Sequence, residues 1–284
     1  MSIVVTGATG KLGRHVVEQL LEKVPADQVT AVVRTPEKAA DLAERGVRLA
    51  VADYNAPETF VGLFKAGDRV LLVSGNEFDK GRTGQHQVVI DAAKAAGVAL
   101  LAYTSAPGSL TAALADDHRA TEEALLASGL PYVLLRNGWY HENYTENLAP
   151  VLEHRAVVAA AGQGRVSSAS RADYAAAAVA VLTGEGHENR TYELGGDIAW
   201  SFDEYAAELS RQTGEEIAYN PVTPEALTGI LTGAGLPEPL AAVFAGVDVS
   251  IEKGELEVTS GDLSRLAGRP TTPLAEAIAA ALKG

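Results

Sequence analysis

The chain of 284 residues contains no cysteine, which excludes disulfides, thiol nucleophiles and cysteine-ligated zinc. Its six histidines lack the i, i+4 spacing that puts two metal ligands on one helix face, so no metal site is expected. No run approaches the roughly 20 apolar residues that a membrane helix needs. The apolar segment at the start of the chain is short and lacks the preceding basic residues that are typical of a signal peptide. Basic residues are scarce as well, since 23 Lys and Arg face 37 Asp and Glu, a balance that opposes binding to nucleic acid. We expect a cytoplasmic protein that binds neither membranes nor nucleic acid.

What the sequence does contain is an alternation of short apolar strands with amphipathic helices. Periodicity and turn residues predict strands at 3–5, 29–33, 47–52, 69–73, 98–104 and 132–135, and helices at 11–24, 37–44, 57–66, 83–96 and 116–127. Because strands joined through helices run parallel, this order predicts an α/β fold with a Rossmann-type, doubly wound parallel sheet.

The alternation breaks down after about residue 136, where the chain mixes loops, predicted helices at 172–182 and 202–212, the segment 191–194 and a tail rich in proline and glycine. The expected organisation is a nucleotide-binding domain over 1–136 and a smaller α/β lobe over 137–284, which binds the substrate and returns some segments to the first domain. The ligand cleft should lie at the carboxyl ends of the strands.

A glycine-rich turn lies between the first strand and the first helix, in the segment Thr6-Gly7-Ala8-Thr9-Gly10-Lys11-Leu12-Gly13. Gly7 and Gly10 permit a tight turn and let backbone N–H groups approach a pyrophosphate, while Gly13 permits close packing of helix on sheet. The alternative is a structural turn without a ligand. The spacing Gly-x-x-Gly-x-x-Gly resembles that of extended and atypical short-chain dehydrogenases/reductases.

The residue after the second strand predicts which cofactor binds. A dehydrogenase that uses NAD places a carboxylate there for the ribose 2′-hydroxyl, but this chain has Arg34, with Lys38 one helical turn later. A guanidinium can hold a 2′-phosphate through charge-assisted hydrogen bonds, so we predict NADP(H) as the cofactor. The alternative for Arg34 is an ordinary solvated arginine at a strand end.

The acid and base pair of the classical superfamily, Tyr-x-x-x-Lys, is absent, since no tyrosine has a lysine four positions on. The whole chain instead resembles the NmrA-like group of atypical short-chain dehydrogenases/reductases. The resemblance rests on residues 6–13, 33–34, 52–54, 102–105, 134–144, 170–177 and 268–274. It implies NADPH-dependent reduction of quinones by hydride transfer. The alternatives are an NADP(H)-sensing regulatory protein without turnover, and a reductase of dyes or of other carbonyl, imine or enone compounds.

The resemblance also implies roles for polar residues at the other strand ends. Asp53 and Tyr54 follow the third strand, where relatives contact adenine, although Asp53 could simply cap a turn. The loop Ser74-Gly75-Asn76 should pass under a cofactor ribose, and Thr104 with Ser105 should lie near the nicotinamide. In either segment, these residues could instead serve only to form the turn, without contacting the cofactor.

The candidate substrate slot is the aromatic cluster 139–144, preceded by Asn137 and Gly138 on the nicotinamide side. Trp139 or Tyr140 could stack on a flat ring, and Tyr140 or Asn143 could donate a hydrogen bond to a carbonyl. These aromatics could equally join the lobe to the sheet.

Two further residues complete the expected site. His118, at the start of its helix, is the remaining candidate donor, or an ordinary helix-start histidine. Arg171 should close on the cofactor, or else pair with Asp173. A small quinone-like molecule is the expected substrate, and the sequence leaves a homodimer open.

Cofactor preference tests the role of Arg34. Two charge-assisted hydrogen bonds of about 1.5–3 kcal/mol each imply that NADPH binds at least tenfold more tightly than NADH. Arg34→Asp should erase or reverse that preference without lowering the melting temperature, because the position is a strand end. Equal dissociation constants of the wild-type protein for the two cofactors would contradict the prediction.

Overall fold

The computed structural model describes residues 2–75, 81–111, 113–146 and 148–283. Over these residues the strands are β1 (Ile3–Val5), β2 (Val29–Val33), β3 (Arg48–Val51), β4 (Arg69–Leu72), β5 (Leu100–Ser105), β6 (Tyr132–Asn137), β7 (Ala156–Ala159), β8 (Arg165–Val166), β9 (Arg190–Leu194), β10 (Trp200–Ser201) and β11 (Ala218–Pro221). The α-helices are α1 (Lys11–Leu20), α2 (Ala40–Glu44), α3 (Arg82–Ala96), α4 (Leu114–Ser128), α5 (Glu142–Thr145), α6 (Ala149–His154), α7 (Arg171–Thr183), α8 (Phe202–Thr213), α9 (Pro224–Gly233), α10 (Glu238–Glu252), α11 (Asp262–Ala267) and α12 (Leu274–Ala281).

Seven of the strands form a parallel sheet in the order β3-β2-β1-β4-β5-β6-β9. Apolar clusters cover both of its faces, and every residue of β1, β4 and β5 is buried. This confirms the predicted Rossmann-type fold. The strand order reverses between β1 and β4, so the connections leave in opposite directions there and open a crevice at the carboxyl ends.

Two predicted helices near the third strand differ from the structure. Residues 57–66 form only a 3-10 turn, Pro57–Phe60, because Val61 is extended and Gly62 takes a left-handed conformation with φ of +71°. The predicted helix 37–44 is divided into a 3-10 turn, Pro36–Ala39, and the short α2. The first helix ends at Leu20, four residues earlier than its apolar stripe predicts.

The second half of the chain builds its own apolar core and also adds to the sheet. Strand β9 pairs with β6, and α7 packs on α1. The remaining strands form two small pairs, antiparallel β8–β10 and parallel β7–β11, in segments where the sequence predicts no strand. Rings of Tyr144, Trp200, Phe202 and Tyr205 meet edge-on or tilted in this second core. The division at residue 136 stays a prediction.

Among the described residues, no helix combines the length and apolar character needed to cross a bilayer.

Asp248 on α10 provides a stability test of the second core. Its Oδ2 accepts a hydrogen bond of 2.7 Å from the backbone N–H of Ala160, yet burial raises the pKa of the carboxyl to about 6. Because the folded-state pKa exceeds the unfolded value of about 4, stability falls as the pH rises from 4 through 6.

Asp248→Asn should therefore raise the free energy of unfolding at pH 8 by about 1–3 kcal/mol, and by less at pH 5. Urea denaturation at the two pH values measures this difference. Asp91→Asn, at an exposed aspartate of α3, is the control and should change stability little. A variant that is less stable than the wild type at pH 8 would contradict the assignment.

Candidate functional site

A cavity of about 600 Å³ lies at the carboxyl ends of the sheet strands. It extends from the end of β2 past the first helix to the ends of β5 and β6. Most of the predicted site residues line it: Gly7, Thr9, Gly10, Lys11, Leu12, Gly13, Arg34, Lys38, Asp53, Tyr54, Ser74, Gly75, Thr104, Ser105, His118, Asn137, Gly138, Trp139, Tyr140 and Arg171. The cavity lies at the strand-order reversal, where the fold predicts a nucleotide.

The glycine turn forms the cavity floor beside α1. Gly7 is left-handed with φ of +59°, and its carbonyl accepts a hydrogen bond of 2.9 Å from the N–H of Gly10. A Cβ at Gly13 would lie 2.3 Å from the same carbonyl oxygen, so only glycine lets the helix start this close to the strand. Such a cradle of backbone N–H groups at a helix N-terminus fits a pyrophosphate.

Ala8 does not line the cavity, contrary to expectation. Its side chain is fully buried, and its N–H donates to the carbonyl of Val32 on β2. Its place in the turn is therefore structural, because this bond ties the turn to the neighbouring strand. Asn76, also predicted to contact the cofactor, lies outside the described residues.

Basic residues mark the end of the cavity beside β2. Arg34 and Lys38 are both exposed at its margin, as the sequence predicts for a 2′-phosphate site. Asp53 lines the same end, and its carboxylate accepts a hydrogen bond of 2.9 Å from the N–H of Asn55. The turn-capping interaction of Asp53 is therefore present, and its predicted contact with adenine stays a prediction.

Tyr54 lines the cavity, and hydrogen bonds of its hydroxyl fix its position in the wall. Its hydroxyl lies 2.5 Å from the hydroxyl of Thr6 and donates to the carbonyl of Val73 at 2.8 Å. Burial raises the pKa of Tyr54 above its ordinary value, so the phenol stays neutral.

The ends of β4, β5 and β6 supply polar groups at the opposite end of the cavity. The N–H of Ser74 donates to Thr104 at 2.9 Å, which joins the two strand ends. Asn137 is 6% exposed, and its side-chain oxygen has no hydrogen-bond partner among the described residues. A buried acceptor of this kind is costly unless a ligand donates to it, and it fits the amide-bearing end of a nicotinamide dinucleotide.

Tyr140 and Arg171 lie together at this end. The Tyr140 ring meets Tyr174 edge-on at 5.3 Å, and the Arg171 guanidinium lies 5.2 Å from the Tyr140 ring centroid. Burial raises the pKa of Tyr140, so its phenol is a neutral hydrogen-bond donor at neutral pH. Arg171 pairs with Glu146 rather than with Asp173.

The alternative in which Arg171 pairs with Asp173 is thus wrong, while the predicted contact of Arg171 with the cofactor stays a prediction. The carboxylate of Asp173 lies 2.6 Å from the guanidinium of Arg269 and accepts a hydrogen bond from the backbone of Thr272. Asp173 therefore connects α7 to the C-terminal segment.

Two of the predicted donors do not fit that role. Asn143 is exposed on the short α5 and does not line the cavity, because α5 turns its side chain away. His118 does line it, but its Nε2 lies 2.6 Å from a guanidinium nitrogen of Arg82 and its Nδ1 lies 2.8 Å from the Tyr103 hydroxyl. Since arginine can only donate, Nε2 accepts and the one ring proton points to Tyr103. His118 has no proton to give to a ligand in the cavity.

The sequence did not predict several of the residues that line the cavity. An apolar wall is formed by Ala106, Pro107, Leu110, Trp139 and Leu256. Of these five residues, the sequence predicts only Trp139 as part of the site, because the other four lie in a loop or in the distant second lobe. The buried Arg82 gave no signal either, since an arginine at a helix start ordinarily faces solvent.

The loop that carries part of this wall, residues 106–111, is fixed at several points. Ser109 donates to the carbonyl of Glu255 at 2.6 Å, and the N–H of Thr111 donates to the Glu255 carboxylate at 2.8 Å. The N–H of Gly108 donates to Glu193, which also pairs with Arg136 at 2.8 Å. These contacts hold the loop between the sheet and the second lobe.

Comparison with known proteins agrees with this geometry. Residues 7–185 match the family described as NAD(P)H-binding. The chain is 45% identical to quinone oxidoreductase 2 of Escherichia coli K12, with 97% of each chain covered, and 30% identical to an NAD(P)H azoreductase of Xenophilus azovorans, with 96% of each covered.

Solved structures agree as well. The E. coli NADPH-dependent quinone oxidoreductase in complex with NADPH superposes with a TM-score of 0.95 at 45% identity, over 99% of each chain. The Citrobacter sp. triphenylmethane reductase in complex with NADP(H) superposes with a TM-score of 0.94 at 43% identity, over 99% of this chain and 100% of that chain.

Two glycines of the turn should respond differently to substitution. Gly10 has φ and ψ of −75° and 164°, which valine tolerates, and a Cβ there would lie 3.1 Å from the carbonyl oxygen of Gly7, so Gly10→Val should lower the apo melting temperature only slightly. The added methyl groups occupy the pyrophosphate cradle, and the dissociation constant for NADPH should rise more than a hundredfold. Calorimetric titration and thermal unfolding measure the two effects.

Gly13→Ala is the contrasting variant, because its Cβ meets backbone at 2.3 Å and should lower the melting temperature by several degrees. Retained NADPH binding in Gly10→Val would show that the cofactor lies elsewhere.

Proposed function

Since the chain belongs to the NAD(P)H-binding family, we propose that it reduces quinones with NADPH through transfer of a hydride. The observation that carries this proposal is the cavity itself, which has an exposed basic pair at one end and an apolar wall at the other. This cavity occurs in a chain that is 45% identical to a quinone oxidoreductase over nearly its full length. The likeness covers both lobes and favours an enzyme over a regulatory protein without turnover.

The cofactor would be held along the whole cavity. Backbone N–H groups of the glycine turn and the N-terminus of α1 bind the pyrophosphate, and Arg34 with Lys38 binds the 2′-phosphate. Ser74, Gly75, Thr104 and Ser105 line the ribose and nicotinamide end, and Asn137 with Gly138 faces the nicotinamide. Bound there, NADPH supplies the hydride.

The acceptor would occupy the remaining space beside the apolar wall. Trp139 and Tyr140 present rings to a flat molecule, while Leu110 and Leu256 exclude water from its other side. Tyr140 then donates a hydrogen bond to one carbonyl oxygen. Conjugation stabilises the reduced quinone, so a strongly activated acid is not required and correct placement of the two rings supplies most of the rate.

The protein would act in the cytoplasm, with residues 1–136 binding the cofactor and residues 137–284 mainly binding the substrate. The sequence leaves a homodimer open. Light scattering at several protein concentrations measures the oligomeric state directly.

The function is tested by anaerobic mixing of the protein with NADPH and a panel of quinones. The expected result is loss of the NADPH absorbance with formation of one hydroquinone for each NADPH consumed. Tight NADPH binding without consumption by any quinone would overturn the proposal and favour a sensor.

Tyr140 should contribute through one hydrogen bond rather than as an obligatory acid. If that bond is worth about 1–3 kcal/mol in the transition state, Tyr140→Phe should lower kcat/KM about tenfold to a hundredfold with an unchanged dissociation constant for NADPH. Asn143→Ala should have a smaller effect, because that side chain lies outside the cavity.

Tyr132→Phe, at the opposite end of β6, is the matched control and should behave as the wild type does. Complete loss of turnover in Tyr140→Phe would show instead that proton transfer by this phenol controls the reaction.

A further inference from the structure

Arg82 is a buried cation in the wall of the cavity. It begins α3, its side chain is only 2% exposed, and it lines the cavity together with Ser74, Gly75 and His118. Burial lowers the pKa of the Arg82 guanidinium, while Tyr103 and the carboxylate of Asp117 act in the opposite direction and favour the charged form.

His118 fixes the orientation of that cation. The imidazole Nε2 accepts a hydrogen bond of 2.6 Å from the guanidinium, and Nδ1–H donates to Tyr103. Burial and the charge of Arg82 lower the pKa of His118 well below its ordinary value, so the ring is neutral at neutral pH. The pair therefore carries one fixed positive charge, and that charge resides on Arg82.

The position of Arg82 after β4 indicates which part of a ligand it faces. Arg34 and Lys38 follow β2, at the end predicted to hold the 2′-phosphate, whereas Arg82 and His118 follow β4 and β5. A dinucleotide bound across the strand-order reversal puts its nicotinamide on the β4–β5 side. The charge of Arg82 is therefore close to the reacting end of the cavity.

We propose that Arg82 is a catalytic and specificity-determining residue, which binds the acceptor oxygen that becomes negative during hydride transfer. This inference rests on the quinone reduction proposed above. The C–H bond of the dihydronicotinamide breaks, its hydrogen and electron pair bond to the quinone, and one quinone oxygen takes the negative charge. The quinone is reduced to the hydroquinone monoanion, NADPH is oxidised to NADP⁺, and water supplies the last proton.

With Arg82 in this role, the site should select among acceptors by their charge. A quinone gains negative charge in the transition state, and a fixed guanidinium stabilises that charge in a cavity partly shielded from water. A cationic dye loses its charge on accepting hydride, and its ground state is repelled by the same guanidinium. The site should favour neutral acceptors that become anions.

A binding experiment without turnover tests this directly. The complex of the protein with NADP⁺ is titrated with 2-hydroxy-1,4-naphthoquinone, which is an anion at neutral pH, and with the uncharged 1,4-naphthoquinone. The wild type should bind the anion at least tenfold more tightly, and equal affinities would overturn the proposal.

Arg82→Met should abolish that preference, and Arg82→Lys should retain part of it, with NADP⁺ affinity unchanged in both. Arg69→Met is the matched control, because Arg69 is also buried but lies at the opposite end of β4. The control should keep the full preference for the anion.

Turnover gives a second and independent readout. Arg82→Met should lower kcat/KM for an uncharged quinone at least tenfold and leave unchanged or raise kcat/KM for a cationic triphenylmethane dye. Equal losses for both acceptors would indicate a structural defect and contradict the proposal. If the wild type consumes no NADPH with any quinone, the proposed function fails, while the binding experiment still reports on Arg82.

His118 is a positioning residue, and its own variants test that role. His118→Gln keeps an acceptor for the guanidinium and should preserve most of the preference for the anion. His118→Leu removes the acceptor and should lose most of it, again with NADP⁺ affinity unchanged. Full anion preference in His118→Leu would show that Arg82 needs no support from the imidazole.

Discussion

The close approach of the first helix to the first strand is the constraint on which the site depends. The carbonyl oxygen of Gly7 lies only 2.3 Å from the position that a Cβ of residue 13 would take, so the chain can turn from β1 into α1 this sharply only with glycine. The turn points the helix N-terminus and several N–H groups into the crevice beside β4. Without that approach the cavity would lose the surface that fits a pyrophosphate.

Charge is arranged unevenly along the cavity. Exposed cations stand at the β2 end, where a solvated phosphate can meet them, and a buried cation stands at the β4–β5 end. Nearby carboxylates are held by partners, since Glu122 pairs with Arg136 and Glu146 pairs with Lys11 and Arg171. An acidic protein can therefore present a cavity suited to an anionic cofactor, because cations neutralise these two carboxylates beside it.

Two apolar cores meet at this cavity. One belongs to the sheet, and the other is built around the aromatic rings of the second lobe. The loop 106–111 crosses between them, with Leu110 buried in the second core and Ser109 bound to Glu255. The apolar wall of the cavity is thus formed by residues from both halves of the chain, since Ala106, Pro107 and Leu110 precede residue 136 and Leu256 follows it.

Local sequence determined the alternating strands and helices, the glycine turn and the basic residue after the second strand. Each of these is set by neighbours within a few positions, through side-chain periodicity, φ preference or charge at a strand end. The same reasoning missed the break within 37–44, and it extended the helix at 57–66 too far, because the left-handed Gly62 outweighs a short apolar pattern.

Only the tertiary structure decided the acceptor end of the cavity. The contact of Arg82 with His118 joins residues 36 positions apart, and that of Ser109 with Glu255 joins residues 146 apart. Asn143 shares an aromatic segment with Tyr140, yet Asn143 is exposed on α5, whereas Tyr140 precedes that helix, forms a β-bridge with Ala169 and lines the cavity. Such placements depend on how whole elements pack, since a residue's neighbours in sequence carry no record of which distant side chain will meet it.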